Sequence, residues 1–216
     1  MPDTPQLLMF IAAGWLLNLT PGPDVLYIVS NALKSGVRAG IIAALGIVSG
    51  CFVHVFAAAL GVSALLAASA TAFTVLKWIG AAYLMWMGIQ LLLARGGSSV
   101  VPTDAALTKV PADFGRIYRR GFLTNVLNPK VALFFLAFVP QFIAPGAPDK
   151  VTAFLLLGLL FNLNSLPINF GYAWLAGWAA GRVGAVQRTM QWLDRAAGAM
   201  FVGFGLKLAM SDNPSR

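Results

Sequence analysis

Apolar residues run through this chain in six stretches of membrane length, with polar residues gathered between them. The stretches cover about Leu7 to Ala32, Ala39 to Leu66, Phe73 to Ala94, Gly121 to Ile143, Val151 to Ala180 and Met190 to Met210. A helix needs about 20 mostly apolar residues to cross ~30 Å of hydrocarbon, so the pattern predicts six transmembrane helices. One long polar segment, residues 95–120, separates two groups of three. It holds Gly96-Gly97-Ser98-Ser99, Pro102 and Pro111, a composition suited to a flexible joint. The expected organisation is a first three-helix repeat over 1–94, a basic cytoplasmic linker over 95–120 and a second repeat over 121–216. A weak helical signal lies near Phe114–Arg120.

Two of the six stretches are interrupted at corresponding places. The first carries Asn18-Leu19-Thr20-Pro21-Gly22-Pro23-Asp24, and the fourth carries Thr124-Asn125-Val126-Leu127-Asn128-Pro129-Lys130. Aligning Pro23 with Pro129 sets Asp24 opposite Lys130. Proline removes a backbone donor and clashes with the preceding turn, so both helices should break here. Asn128 then Pro129 reads as an N-cap and first helical residue, and Thr20-Pro21 and Gly22-Pro23 offer the same arrangement. Three spans per half is an odd number, so two similar halves must have opposite topology. Gly88-Ile89-Gln90-Leu91-Leu92 in the third stretch is echoed by Gly205-Leu206-Lys207-Leu208-Ala209 in the sixth. The fold class expected is therefore an all-α membrane protein of two inverted three-helix repeats.

Composition agrees with lipid as the main solvent. Hydrophobic residues make up 59% of the chain and charged residues 10%, against about 25% charged in soluble domains. Every acidic residue is an aspartate. The net charge of +8 does not point to nucleic acid, because the basic residues cluster between apolar stretches without interleaved aromatics. Lys34, Arg38, Arg95, Lys109, Arg116, Arg119, Arg120, Arg182 and Arg188 all fall on one side if the N-terminus lies outside. The other side then receives Lys150, Arg216 and the span-end residues Lys77 and Lys207. That bias predicts both termini outside. The N-terminus lacks a basic n-region, so the first stretch reads as a retained span rather than a cleaved signal. Cys51 is the only cysteine, which excludes an intrachain disulfide and suits apolar packing.

Charged and polar residues inside spans are expensive and point to function. Asp24 and Lys130 are expected to face one another across the repeat interface. There Asp24 would take a proton or a substrate ammonium, and Lys130 would balance it or meet a carboxylate. A structural ion pair between the two spans is the plainer alternative. Half-helix N-termini carry partial positive charge and free N–H groups, so the two breaks would suit a carboxylate. His54 lies on a stripe with Gly46 and Gly50. Small residues four apart allow close helix contact, and His54 reads either as a proton relay or as a hydrogen-bonded packing residue. The fifth stretch, with Asn162, Asn164, Ser165, Pro167, Asn169 and Tyr172, is too polar to face lipid. Its polar residues line a cavity or bond between helices. Trp78, Tyr83 and Trp86 read as packing or interfacial residues, and Gly198, Gly203 and Gly205 as close helix contacts. No GxSxG, P-loop or HExxH occurs, so the chain carries no enzyme signature, and neither a cofactor nor a metal site is expected.

In these residues the chain resembles the LysE/RhtB family of bacterial amino-acid exporters, and within it the homoserine/threonine-efflux branch. The resemblance spans essentially the whole chain. It rests on Leu19-Thr20-Pro21-Gly22-Pro23, on Gly46, Gly50 and His54, and on Val75-Leu76-Lys77-Trp78 through Gly88. It rests also on Asn128-Pro129-Lys130 with Phe138-Val139-Pro140-Gln141-Phe142. The resemblance implies a small inner-membrane exporter of amino acids such as threonine, homoserine, lysine or leucine, driven by the proton gradient. Many relatives carry an acidic residue in the fifth span where this chain has Asn162 or Asn164. The reading is thus a secondary transporter. Its substrate-binding or coupling residues are drawn from Asn18, Thr20, Pro21, Gly22, Pro23, Asp24, His54, Asn125, Asn128, Pro129, Lys130, Asn162 and Asn164. Its partners are a small zwitterionic substrate, a proton and lipid, and glycine stripes permit a homodimer. The alternative is a passive channel or a non-transporting membrane scaffold.

Overall fold

The computed structural model describes residues 3–68, 70–93, 112–143, 149–178, 195–196, 198–203, 205–207 and 209–210. Among them the chain is all helical, with no strand. The order is α1 (Thr4–Leu19), α2 (Pro23–Ser35), α3 (Val37–Ala68), α4 (Ala70–Leu93), α5 (Phe114–Val126) and α6 (Pro129–Leu133). A π-helical turn (Phe134–Phe138) and a 3-10 turn (Val139–Phe142) continue α6, and α7 (Lys150–Trp178) follows. A short apolar helix, α8 (Gly198–Lys207), comes last.

Both expected breaks are present as gaps between helices. α1 ends at Leu19 and α2 starts at Pro23. α5 and the Pro129–Phe142 segment are bent by 46° about Leu127 and Asn128. Helix α5 begins at Phe114, inside the segment read as a linker, so the weak signal there belongs to the fourth apolar element. Most of that linker, like Arg182, Arg188 and Arg216, lies outside the described residues. Among the described residues, Val37–Gly61 and Lys150–Trp178 are each long and apolar enough to cross a membrane, and the bent pair makes a third.

Aspartate sets several helix starts. Asp3 accepts from Gln6 N at 2.8 Å, Asp113 from Arg116 N at 2.9 Å and Asp149 from Thr152 N at 2.9 Å. Each bond satisfies one of the orphan donors of a first turn. Hydrogen bonds from the Thr152 side chain and amide hold the Asp149 carboxyl below its usual range. Asp24 differs from these three: it lies in the first turn of α2, one residue past Pro23, and is buried.

Helix α3 forms the central post. A Cβ on Gly46 would collide with the carbonyl oxygen of Tyr118, and one on Gly50 would come within 2.5 Å of Phe122 O. Reciprocally, a Cβ on Gly121 would lie 2.7 Å from Ala43 O. The α3 and α5 backbones therefore touch, as a small-residue stripe permits, and they run in the same direction. α7 packs on α3 in the opposite direction, with Gly177 against Val37, Ala173 against Gly40 and Gly158 against Val55. α4 meets α8 the same way, Gly88 against Gly198 and Met85 against Gly205. Gly203 was expected at such a contact, but nothing lies within 4 Å of a Cβ placed there.

The two ends of the molecule differ. At one end α2, α3 and α5 bring basic residues together: Lys34, Arg116 and Arg120 line one cleft, and Arg38 lies over the Phe114 ring at 5.1 Å. At the other end phenylalanines fill the space. Phe10 and Phe142 are 5.3 Å apart, Phe138 and Phe142 5.0 Å, Phe134 and Phe138 5.2 Å, and Phe134 and Phe161 5.0 Å. The π turn keeps Phe134, Phe135 and Phe138 all buried in this cluster.

Because the α3–α5 contact is backbone on backbone, Gly46→Ala and Gly50→Ala should each destabilise by about 1–3 kcal/mol through overpacking. Gly61→Ala, with nothing within 4 Å, should be silent. Thermal unfolding of the detergent-solubilised protein checks this, and equal midpoints for all three variants would sink the contact.

Candidate functional site

The two breaks meet. Helix α1 ends with its last carbonyls without helical partners, and the Lys130 ammonium donates to Leu17 O and Thr20 O, each at 3.0 Å. A cation at a helix C-terminus answers both the orphan carbonyls and the dipole. Thr20 bonds back to Leu16 O at 2.5 Å and caps the end of α1. It does not start a helix, as Thr20-Pro21 suggested; Gly22 and Pro23 do. A Cβ on Gly22 would lie 3.2 Å from Lys130 Nζ, so the absence of a side chain there makes room for the ammonium.

The reciprocal break places Asn125 and Asn128 around Asp24. Asn125 Nδ2 donates to Asp24 Oδ2 at 2.8 Å, and Asn128 Nδ2 donates to the same oxygen at 3.0 Å. Asn128 also accepts from Lys130 N at 3.0 Å, so it is the N-cap of α6 that its sequence suggested. One asparagine thus starts a half-helix and holds the carboxylate of the other half. Asp24 Oδ1 is buried and has no hydrogen-bond partner among the described residues, and Asn125 Oδ1 is in the same position.

Helix α7 supplies the third wall. Asn162, Ser165 and Asn169 are all buried and all line one cavity with Asp24, Asn125 and Lys130. Asn162 is 2% exposed, and among the described residues its amide nitrogen and oxygen meet no hydrogen-bond geometry, although Cys51 lies beside it. An unsatisfied buried amide costs about 1–3 kcal/mol. Asn18 lines the cavity too, although its Nδ2 donates to Gly14 O at 2.8 Å. Asn164 faces elsewhere: Trp15 Nε1 donates to its Oδ1 at 3.4 Å. Tyr172 donates to Leu19 O at 2.8 Å and ties α7 to the end of α1.

The cavity has a volume of about 20 Å³, room for roughly one water. An amino acid requires its walls to separate. Phe161 forms part of its lining and belongs to the aromatic cluster beyond it. His54 lies off the cavity wall and within 2.8 Å of Asn125 O through Nε2. Donation from that nitrogen adds to the bond that Asn125 O already accepts from Asn128 N at 2.8 Å, and ties α3 to the residue that holds Asp24. Pro21 is buried, while Pro23 and Pro129 are exposed and serve as first helical residues. Ser165, Asn169 and Cys51 also line the cavity. The first two share the polar α7 face that the sequence displays, but Cys51 reads there as mere packing.

Asn128→Ala should lower thermal stability by more than the ~1 kcal/mol of a lost N-cap, because it also removes a donor to Asp24. Asn128→Ser, which can still cap, should recover part of the loss. Equal midpoints for wild type and both variants in detergent would show that this bridge carries no stability.

A family model described as LysE type translocator matches residues 15–212. An uncharacterized membrane protein of Vibrio cholerae is 35% identical over 94% of this chain and 95% of its own length. A homoserine/homoserine lactone efflux protein of Salmonella typhimurium is 30% identical over 93% of this chain and 94% of its own. A leucine efflux protein of the same species is 28% identical over 93% and 92%. No solved structure matches the chain. Matched by the family model across the helix breaks and all three cavity walls, the chain is a transporter rather than an enzyme and belongs to the LysE family.

Proposed function

We propose that this protein is a secondary exporter of a small zwitterionic amino acid or close derivative, of the homoserine or threonine kind, driven by protons. The observation that carries the reading is the charge pattern of the cavity. One buried carboxylate and one buried ammonium face a common space, with amide groups between them. A zwitterion matches that pattern end for end. Asp24 Oδ1 and Asn125 Oδ1 are acceptors for the cargo ammonium, which has three donors. Lys130 and Asn162 Nδ2 are the donors for its carboxylate. The names of the homoserine and leucine efflux relatives support an amino-acid cargo.

In this reading the molecule is a six-span bundle of two inverted three-helix repeats joined by the 95–120 linker. It sits in the bacterial inner membrane with both termini outside. The opposed helix directions and the collection of Lys34, Arg116 and Arg120 at one end support it. The described conformation is closed on the aromatic side, and transport swings the repeats about the helix breaks. Asp24, released from Asn125 and Asn128 on protonation, is the coupling group.

Cells expressing the protein should release preloaded labelled homoserine against a gradient, and an uncoupler should stop it. Asp24→Asn should cut that efflux at least tenfold at equal membrane abundance. Efflux that survives the uncoupler and runs equally in both directions would indicate a channel, and no flux of any amino acid would indicate a scaffold.

A further inference from the structure

Helices α2 and α5 each carry one strongly polar face. On α2 that face carries Tyr27, Ser30, Asn31 and Lys34, while Val25, Ile28, Val29 and Leu33 are buried behind it. On α5 it carries Arg116, Arg120 and Thr124, while Gly121 and Asn125 are buried behind it. The two faces look at each other across a cleft of about 480 Å³. That is within the usual size of small-ligand sites and far larger than the cavity at the breaks.

The cleft lies beside the site along both helices. Its inner end is lined by Pro23 and Thr124, and the next residue along each helix, Asp24 and Asn125, lines the central cavity. Asn125 Nδ2 donates to Asp24 Oδ2, so the bond joins the two residues that follow the cleft's inner lining. The outer end of the cleft is basic, and among the described residues no carboxylate lines it. Asp113 reaches Arg116 only at 3.9 Å, with both side chains exposed. Topology explains why basic residues lie at this end of the molecule, but not why they line a cleft. Arg38, over the Phe114 ring, and Arg119, whose Nε donates to Gly115 O at 3.4 Å, meet the topological need without entering it.

We propose that the α2–α5 cleft is the cytoplasmic vestibule of the exporter, and that Lys34, Arg116 and Arg120 recruit cargo by its free carboxylate. The proposal rests on the exporter reading above. A cleft lined by one sign of charge raises the local concentration of opposite charge and speeds its capture. A carboxylate-bearing molecule is drawn in by that end, and Tyr27, Ser30, Asn31 and Thr124 give it polar contacts on the way to Asp24. Selection in the vestibule is therefore for the carboxylate, and selection at the breaks is for the whole zwitterion.

The test uses inside-out vesicles of purified full-length protein, which present the cytoplasmic face to the bath. Two probes are compared, labelled L-homoserine, which has a free carboxylate, and labelled homoserine lactone, which has none. Lys34→Gln with Arg116→Gln and Arg120→Gln should lower the homoserine-to-lactone ratio of kcat/KM roughly tenfold. Arg120→Gln alone should give part of that loss, and Arg120→Lys should restore it. Raising salt should lower the wild-type ratio, because exposed charges are screened within ~10 Å at 0.1 M. A ratio is insensitive to lost protein, so misfolding cannot imitate the effect. An unchanged ratio in the triple variant overturns the vestibule while leaving the exporter reading intact. Failure of the wild type to move either probe or leucine defeats the exporter reading itself. Vesicles of phosphatidylcholine alone and with phosphatidylglycerol form the last arm. If both probes fall together without phosphatidylglycerol, and the triple variant removes that lipid dependence, the cleft holds a lipid phosphate and the proposal is wrong.

Discussion

Everything in this structure depends on how two broken helices satisfy each other's ends. Backbone polar groups in a membrane interior must be bonded within the protein or to water in a cavity. Breaking a helix exposes N–H groups on one side and carbonyls on the other. Here the breaks are reciprocal. Lys130, from the start of α6, answers the carbonyls that end α1. Asp24, from the start of α2, is held by the asparagines that end α5 and begin α6. Neither break would be tolerable alone, so their pairing brings α1, α2, α5 and α6 to one point.

That pairing is nearly complete, and its shortfall is where the chemistry lies. The shortfall lies in the carboxylate and amide groups around the cavity. Asp24 uses one oxygen for the asparagines, and its second meets no hydrogen-bond partner among the described residues. The Asn162 amide lines the same cavity beside Cys51. A structural ion pair would gain from closing on itself fully, since buried polar groups left unsatisfied are costly. Unspent hydrogen-bonding capacity around a cavity of one-water size supports the exporter reading proposed above, with the aromatic cluster on one side and the polar cleft on the other.

Much of this was legible in the sequence, for local reasons. Proline beside asparagine and an ionisable residue announces a helix break without any tertiary information, and both breaks lie where they were read. The Gly46–Gly50 stripe likewise announces a close helix contact, because glycine's missing side chain has few other uses on an apolar face. What the sequence left open concerns long-range geometry. It could not say that Lys130 answers the end of α1, because that requires knowing that two distant breaks meet. It offered carboxylate binding at the half-helix ends, where the protein's own charges already reside. It left His54 between relay and packing, and the structure adds its bond to Asn125 O.

The fifth helix shows how one residue's direction alters the chemistry. The resemblance to LysE/RhtB exporters raised an acidic position in this span, occupied here by Asn162 or Asn164. Residues two apart on a helix face different ways, so only one of them can matter to the site. Asn162 looks into the cavity and Asn164 toward Trp15. A carboxylate at Asn162 would sit with Asp24 against Lys130 and leave the cavity with an excess negative charge, a balance suited to a cationic amino acid. The amide keeps one carboxylate against one ammonium, a balance that matches the neutral zwitterion proposed above. Under that reading Asn162, rather than Asn164, is the position of the fifth helix at which a charge would alter the balance.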